Sequence, residues 1–134
     1  MSYSFYGKFI LNPFLNMIRG GIIDPEIVLY DKEKLPSDLH IETIHTPGHT
    51  QGSVCFFVPA KKLLIAGDAM EHRNGTLMPP SKFFSQNVPM GVESIRKLEE
   101  LDYDIIALSH FKPVLSQGNK LITKFINKYL QGKN

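Results

Sequence analysis

Residues 46–53, with the sequence Thr-Pro-Gly-His-Thr-Gln-Gly-Ser, end an extended stretch abruptly and place a histidine directly after a turn. Pro47 fixes a negative φ and Gly48 tolerates a positive one, which is the pair of backbone angles that a type II turn requires. A side chain that follows such a turn directly has little conformational freedom left to lose when it binds a ligand. His49 is therefore a candidate metal ligand at the edge of a sheet.

Two other apolar runs end in the same way. Residues 63–66 are followed by Gly67 and Asp68, and residues 105–108 are followed by Ser109 and His110. In α/β proteins ligands bind beyond the ends of strands at one sheet edge. A single histidine or Gly-Asp pair in such a position is more often a hydrogen-bonded or turn residue. As a group, however, His49, Asp68 and His110 predict one metal site.

The segments 46–53, 66–69 (Ala-Gly-Asp-Ala) and 109–110 (Ser-His) resemble three successive motifs of the metallo-β-lactamase superfamily, over about residues 27–115. This resemblance implies an α/β fold, half of a four-layer αββα sandwich in which a mixed sheet is flanked by helices. It also implies two metal ions, usually zinc, with iron or manganese as alternatives. Carried over by motif, His49 would bind one ion and His110 the other, and Asp68 would bridge both as the catalytic carboxylate.

One motif of that family is missing from the sequence. In the family, an H-x-H-x-D-H motif precedes the motifs above. The chain's five histidines are His40, His45, His49, His72 and His110, and no two of them are separated by a single residue. We therefore expect residues 1–134 to form a partial domain, the carboxy-terminal half of the family's fold. Because catalytic zinc normally takes three protein ligands, we also expect this chain alone to be inactive as a hydrolase.

The resemblance implies a function in the complete protein, namely cleavage of an ester, thioester, lactone or related bond in a small molecule by a metal-bound hydroxide. An alternative is a catalytically silent half-domain that acts as a protein-association module. In both cases the apolar strands at 53–58 and 63–66 need a cover. The expected partner is a second copy of the chain or the missing amino-terminal half.

The periodicity of the sequence predicts the order of elements around these motifs. A broken helix at 5–18 precedes strands at 27–30 and 39–46, a hairpin of 53–58 with 63–66, and a long loop at 69–90. A helix at 91–102, a strand at 104–108 and a helix over residues 121–130 follow. The long loop contains four candidate substrate contacts, which are Arg73, Lys82, Phe83 and Phe84. The alternative is that these are ordinary loop residues.

Composition excludes several classes of function. A net charge of +2 without clustered basic residues argues against nucleic acid as a partner. The uncharged stretch 9–18 is shorter than the ~20 residues of a membrane span, and the single cysteine, Cys55, forms no intramolecular disulfide. We expect a cytoplasmic protein without membrane contact. Cys55 is predicted to pack as a small apolar residue, His45 to lie near the site, and His40 and His72 to be exposed.

Overall fold

The computed structural model describes residues 29–35, 37–38 and 40–132. Strands, helices and 3-10 helices follow one another in a mixed α/β order: β1 (Glu42–His45), β2 (Val54–Val58), a 3-10 helix (Pro59–Lys61), β3 (Leu63–Gly67), β4 (Glu71–Arg73), β5 (Thr76–Met78), α1 (Val88–Ser94), a 3-10 helix (Ile95–Leu98), β6 (Ile105–Leu108) and α2 (Gly118–Tyr129). Within the described ranges, no helix is both long and apolar enough to cross a membrane.

In the part of the chain that the structure describes, four strands form the main sheet, in the order β1-β2-β3-β6. β1 and β2 pair antiparallel, as do β2 and β3, whereas β3 and β6 pair parallel. β1, β3 and β6 therefore run in the same direction and end at the same edge of the sheet. The hairpin predicted from 53–58 and 63–66 is confirmed, and Lys62 closes its connection in the left-handed conformation (φ 46°).

One face of this sheet supports the hydrophobic core. Alternate residues of β2 and β3 point into it, including Cys55, Phe57 and Leu64. Ile122 and Ile126 of α2 belong to the same buried cluster. The other face is less well covered, because Ile65 in the middle of β3 is 38% exposed. Within the described residues, one face of these two strands is therefore covered and the other is covered only in part.

The first predicted elements are tested in part. The broken helix at 5–18 lies outside the described residues, as do residues 27 and 28 of the predicted strand at 27–30; Leu29 and Tyr30 are described and are not in a strand. The strand predicted at 39–46 is shorter, Glu42–His45. The strand predicted at 104–108 and the final helix are both present, as Ile105–Leu108 and Gly118–Tyr129.

The prediction of a long loop at 69–90 is wrong for residues 71–78, and also for residues 88–90, where α1 begins. Residues 71–78 form the hairpin of β4 and β5, and its turn is made by Asn74 (φ 51°) and Gly75 (φ 75°). Two consecutive positive φ angles define a type I′ turn, for which Asn-Gly is the favoured dipeptide. The first strand, Glu71–Arg73, has no apolar residue, and Thr76 after the turn is polar, so this hairpin has no clear apolar alternation in its sequence.

The helix predicted at 91–102 begins earlier and is less regular. Asn87 caps it, since the side-chain oxygen of Asn87 accepts a hydrogen bond from the Met90 N–H at 3.0 Å, and Pro89 lies in the first turn, where its missing N–H costs nothing. The α-helix ends at Ser94 and continues as a 3-10 helix to Leu98. The sequence predicts this boundary three residues late, because a proline such as Pro89 is typical of a loop.

Candidate functional site

The predicted ligands follow the three strands that run in the same direction. His49 comes four residues after β1, Asp68 directly after β3, and His110 two residues after β6. Because these strands end at one edge of the sheet, the three side chains are brought to the same place. This is the edge at which α/β folds bind their ligands.

Asp68 lies between the two histidines. Its Oδ2 is 3.8 Å from His49 Nε2, and its Oδ1 is 3.4 Å from His110 Nε2. The side chains of His49, Asp68 and His110 are 23%, 35% and 75% exposed, respectively. Each carboxylate oxygen therefore faces a different imidazole, on a surface that a ligand can reach.

The turn that carries His49 depends on a close approach between two glycines. Gly48 has φ +148°, a positive value as predicted but larger than the about +80° of a type II turn. A Cβ placed on Gly48 would lie 2.2 Å from the Cα of Gly91 in α1. No residue with a side chain fits at position 48, so the turn and the helix backbone pack directly against each other.

The segment before and within α1 also holds this turn through hydrogen bonds. The backbone N–H groups of Gln86 and Asn87 donate to the carbonyls of His49 and Gly48, at 3.0 and 2.8 Å. The Ser85 hydroxyl lies 3.2 Å from His49 Nδ1. His49 is thus fixed at its backbone and at the ring nitrogen that points away from Asp68.

His45 supports the same turn from the opposite side. Its Nε2 donates to the carbonyl of Gln51 at 2.8 Å, and its backbone N–H donates to Asp31 at 2.7 Å. Lys97 donates to Asp31 at 2.9 Å and to the His45 carbonyl at 2.8 Å. Partial burial opposes ionisation of Asp31, but the hydrogen bonds from Lys97 and His45 outweigh it and lower the pKa of that carboxyl below 3.8.

Asp68 is positioned by an irregularity at the end of β3. The pairing of β3 with β6 shifts register between Ile65 and Gly67, and Gly67 has φ +56°. Such irregularities redirect side chains next to functional sites. The Ser109 N–H donates to the Gly67 carbonyl at 3.1 Å, which links the residue before Asp68 to the residue before His110.

A cavity of about 390 Å³ opens beside these three side chains. Of the residues predicted to contact substrate, Arg73 and Phe84 line it, whereas Lys82 and Phe83 do not, and Phe83 is 95% exposed. Sequence reasoning missed Ser85, which lies behind His49. It also missed the other lining residues of the cavity, which are Met70, Glu71, Ser81 and Phe111. The sequence offered one signal for each of two of these residues: Ser85 lies in the loop predicted at 69–90, and Phe111 directly follows the predicted ligand His110.

Other histidines and the cysteine do not join the site. His40 is exposed, as predicted. The prediction that His72 is exposed is wrong, because it is half-buried and hydrogen-bonded to the Lys112 carbonyl at 2.9 Å. Cys55 is fully buried, and its thiol donates to the Ala66 carbonyl at 3.7 Å, in agreement with a packing role.

The donor atoms suit a metal ion but are too few to enclose one. Imidazole nitrogen and carboxylate oxygen are accepted by zinc, iron and manganese. Among residues 29–35, 37–38 and 40–132, no three His, Cys, Asp or Glu side chains converge tightly enough to hold a single ion. Each ion at this site would have one histidine and a shared carboxylate, and would need further ligands.

Comparison with known sequences identifies the family. The sequence model described as the metallo-beta-lactamase superfamily matches residues 10–110, about three quarters of the 134 residues. The chain belongs to this superfamily. The superfamily's members are typically metal-dependent hydrolases, and the mixed α/β fold is the expected part of the metallo-β-lactamase sandwich. A comparison with curated proteins found no match.

Solved structures show the same fold. A metallo-beta-lactamase family protein of Thermus thermophilus is 19% identical with a TM-score of 0.60, over 81% of this chain and 36% of that protein. An archaeal superfamily protein of Sulfolobus tokodaii is 21% identical with a TM-score of 0.55, over 87% and 46%. A third protein, in a di-iron-bound form, is 19% identical with a TM-score of 0.55, over 73% and 46%. The chain therefore spans about a third to a half of the length of these relatives.

Proposed function

We propose that the chain forms part of a metal-dependent hydrolase that cleaves an ester, thioester, lactone or related bond in a small molecule. One observation carries this proposal: the two oxygens of Asp68 face the Nε2 atoms of two different histidines, His49 and His110. A carboxylate placed in this way is suited to bridge two ions. Family membership supports the reaction class, and a relative with two irons supports the number of ions.

In this proposal each residue has a defined role. His49 would hold one ion and His110 the other, each through Nε2, while Asp68 would contact both. For His49 to offer Nε2, its Nδ1 must carry the proton, so that Nδ1–H donates to the Ser85 hydroxyl. When bound, such ions lower the pKa of water and polarise the scissile group. We propose zinc as the metal, with iron or manganese as alternatives, since the donor set suits all three.

The described wall of the cavity favours an uncharged, apolar group next to the scissile bond. Met70, Phe84 and Phe111 line it. Arg73 also lines it, but its Nε donates to Glu71 at 2.7 Å, so this cation already has a carboxylate partner. The volume of about 390 Å³ lies in the range of small-molecule sites.

The missing coordination must come from beyond the described residues of a single chain. We propose that the complete protein supplies it from an H-x-H-x-D-H segment, with a second copy of this chain as the alternative source. The incomplete ligand set and the share of the relatives' length that the chain spans both support this proposal. The incoming segment would also cover Ile65, which is 38% exposed on the open sheet face.

A second candidate function rests on that same exposed residue. A silent half-domain would use the sheet face around Ile65 to associate with another protein. This alternative predicts a chain that forms complexes but gains neither metal nor activity when the upstream segment is added. The two functions are therefore separable by metal content.

The experiment compares the 134-residue chain with the longest protein encoded in frame with it. Metal content is measured by mass spectrometry, and turnover with a panel of uncharged lactones and thioesters. We expect activity in the longer protein, loss of one ion in His49→Ala or His110→Ala, and loss of both in Asp68→Ala. His40→Asn is the control, since His40 is exposed and Asn tolerates its φ of 50°. Full zinc content and turnover in Asp68→Ala would refute the proposal.

A further inference from the structure

The β4–β5 hairpin begins three residues after Asp68, with Glu71. It lies beside the loop that carries His110, because His72 and Arg73 share a cavity with His110, Phe111 and Lys112. The hairpin is therefore attached to one ligand through the chain and touches the residues that follow the other ligand.

His72 makes the first contact. Its Nδ1 is 2.9 Å from the carbonyl oxygen of Lys112. A carbonyl can only accept a hydrogen bond, so Nδ1 must be the protonated nitrogen and the donor. This bond fixes the backbone two residues beyond His110.

Arg73 makes the second contact, on the neighbouring residue of the loop. Its guanidinium lies 4.9 Å from the centre of the Phe111 ring, within the range of a cation–π interaction. The Arg73 Nε also donates to Glu71 at 2.7 Å, and the Glu71 side chain is only 14% exposed. Glu71 thus holds the guanidinium in place over the ring that directly follows His110.

His110 itself has little else to hold its side chain. It is 75% exposed, and the contact that holds its ring in the described part of the chain is the pair with Asp68 at 3.4 Å. An exposed imidazole on a free loop would lose conformational entropy each time it bound an ion. The backbone around it is therefore the element that decides where the ring lies.

We propose that His72 and Arg73 are positioning residues that hold His110 in place opposite Asp68. The inference rests on the proposed function, in which Asp68 and His110 hold the same ion. The hairpin and Asp68 belong to one continuous segment. The contacts of the hairpin with the Phe111 ring and the Lys112 carbonyl would therefore fix the distance between both ligands of that ion. Neither residue would bind the ion itself, although Arg73 also lines the cavity beside Asp68.

The test uses the longest in-frame protein and four variants. His72→Ala removes the donor, whereas His72→Asn keeps an N–H donor at the position of Nδ1. Arg73→Ala removes the stacked cation, and Arg73→Lys keeps the charge without the planar group that stacks on a ring. His110→Ala and His40→Asn serve as the reference for loss of the ligand and as the silent control.

Hydrogen exchange of the Ser109 and Val114 amides is measured first, on metal-free protein, because these amides flank the loop and donate hydrogen bonds to Gly67 and Ile106. We expect His72→Ala to speed exchange there by about tenfold, the effect of losing one net hydrogen bond, and His72→Asn to restore it. Exchange in α2, at Ile122 and Ile126, is expected to be unchanged. This readout separates an effect on the loop from a general loss of folding.

Zinc affinity is measured second. We expect His72→Ala and Arg73→Ala to lower the affinity for one of the two zinc ions by about 10- to 100-fold, as loss of residues that support a ligand does. The affinity of His72→Asn should stay near that of the wild type, and that of Arg73→Lys should be intermediate. If His110→Ala loses zinc but His72→Ala and Arg73→Ala keep it, the positioning role is overturned and the proposed function stands. If His110→Ala itself keeps both ions, the proposed function fails, and this inference fails with it.

Discussion

Replacing Gly48 by alanine should displace the turn that carries His49. The new Cβ would lie 2.2 Å from the Cα and 2.3 Å from the N of Gly91, and these are backbone atoms that no rotamer change can move. Restoring an ordinary contact of 3.4 Å requires the turn and α1 to separate by about 1.2 Å. That movement would break the hydrogen bonds from Asn87 and Gln86 to the turn, which are 2.8 and 3.0 Å long.

The energetic cost has two parts. Overpacking in a tight site costs about 1–3 kcal/mol, and holding a residue other than glycine at a strained positive φ costs about 1–3 kcal/mol. We therefore expect Gly48→Ala to lower the free energy of unfolding by about 2–6 kcal/mol, a large fraction of the ~5–15 kcal/mol of a typical domain. The assay is urea unfolding followed by circular dichroism.

A matched control lies four residues away. A Cβ on Gly52 would meet no atom within 4 Å, and its φ lies outside the positive range that L-residues avoid. Gly52→Ala should change the free energy of unfolding by no more than about 0.5 kcal/mol. If Gly48→Ala unfolds at the same urea concentration as Gly52→Ala, the close approach of the two glycines is not a feature of the folded protein.

Three further predictions concern single side chains. Cys55 should resist thiol reagents at pH 8 until urea unfolds the protein, because burial raises its pKa to about 11; rapid modification of folded protein would contradict this. Asn87→Ala should cost about 0.5–2 kcal/mol in urea unfolding, and Asn87→Ser should recover most of it, since serine also caps helices. Because the pKa of Asp31 is lowered in the folded protein, its carboxylate stabilises the fold at pH values above 3.8, and this stabilisation is lost as the pH falls through the lowered pKa. The difference in Tm between wild type and Asp31→Asn should therefore shrink in acid, and a constant difference would refute the coupling.

The sequence predicted most of the main sheet because its strands are short apolar runs that end in turn residues. β2, β3 and β6 were placed to within one residue, and α2 was recognised by its apolar face. The β4–β5 hairpin was missed although Asn74-Gly75 is the usual dipeptide of its turn, because polar residues surround that dipeptide. Gly91, in the interior of α1, was a further unused signal, since a helical glycine often marks close packing.

The site was predictable to a different extent. His49, Asp68 and His110 were brought together by strand direction, which follows from an apolar pattern and motif order. The contacts behind them were not predictable, because Ser85 lies 36 residues from His49 and Lys112 lies 40 residues from His72. Pairings over such distances depend on how the hairpin and α1 pack, which no local pattern in the sequence determines. Arg73 illustrates this point, since its contact with the Phe111 ring joins residues that are far apart in the chain.

The parallel pairing of β3 with β6 has a consequence for the order of folding. Antiparallel neighbours such as β2 and β3 are joined by a short turn and can pair as soon as both are synthesised. β6 can pair with β3 only after the chain between them, which contains the β4–β5 hairpin and α1, has been made. Closing this long connection costs entropy, which slows the pairing. We therefore expect His110 to meet Asp68 late in folding. A metal ion bound by both side chains would then stabilise a sheet that has already closed and would not guide the early steps.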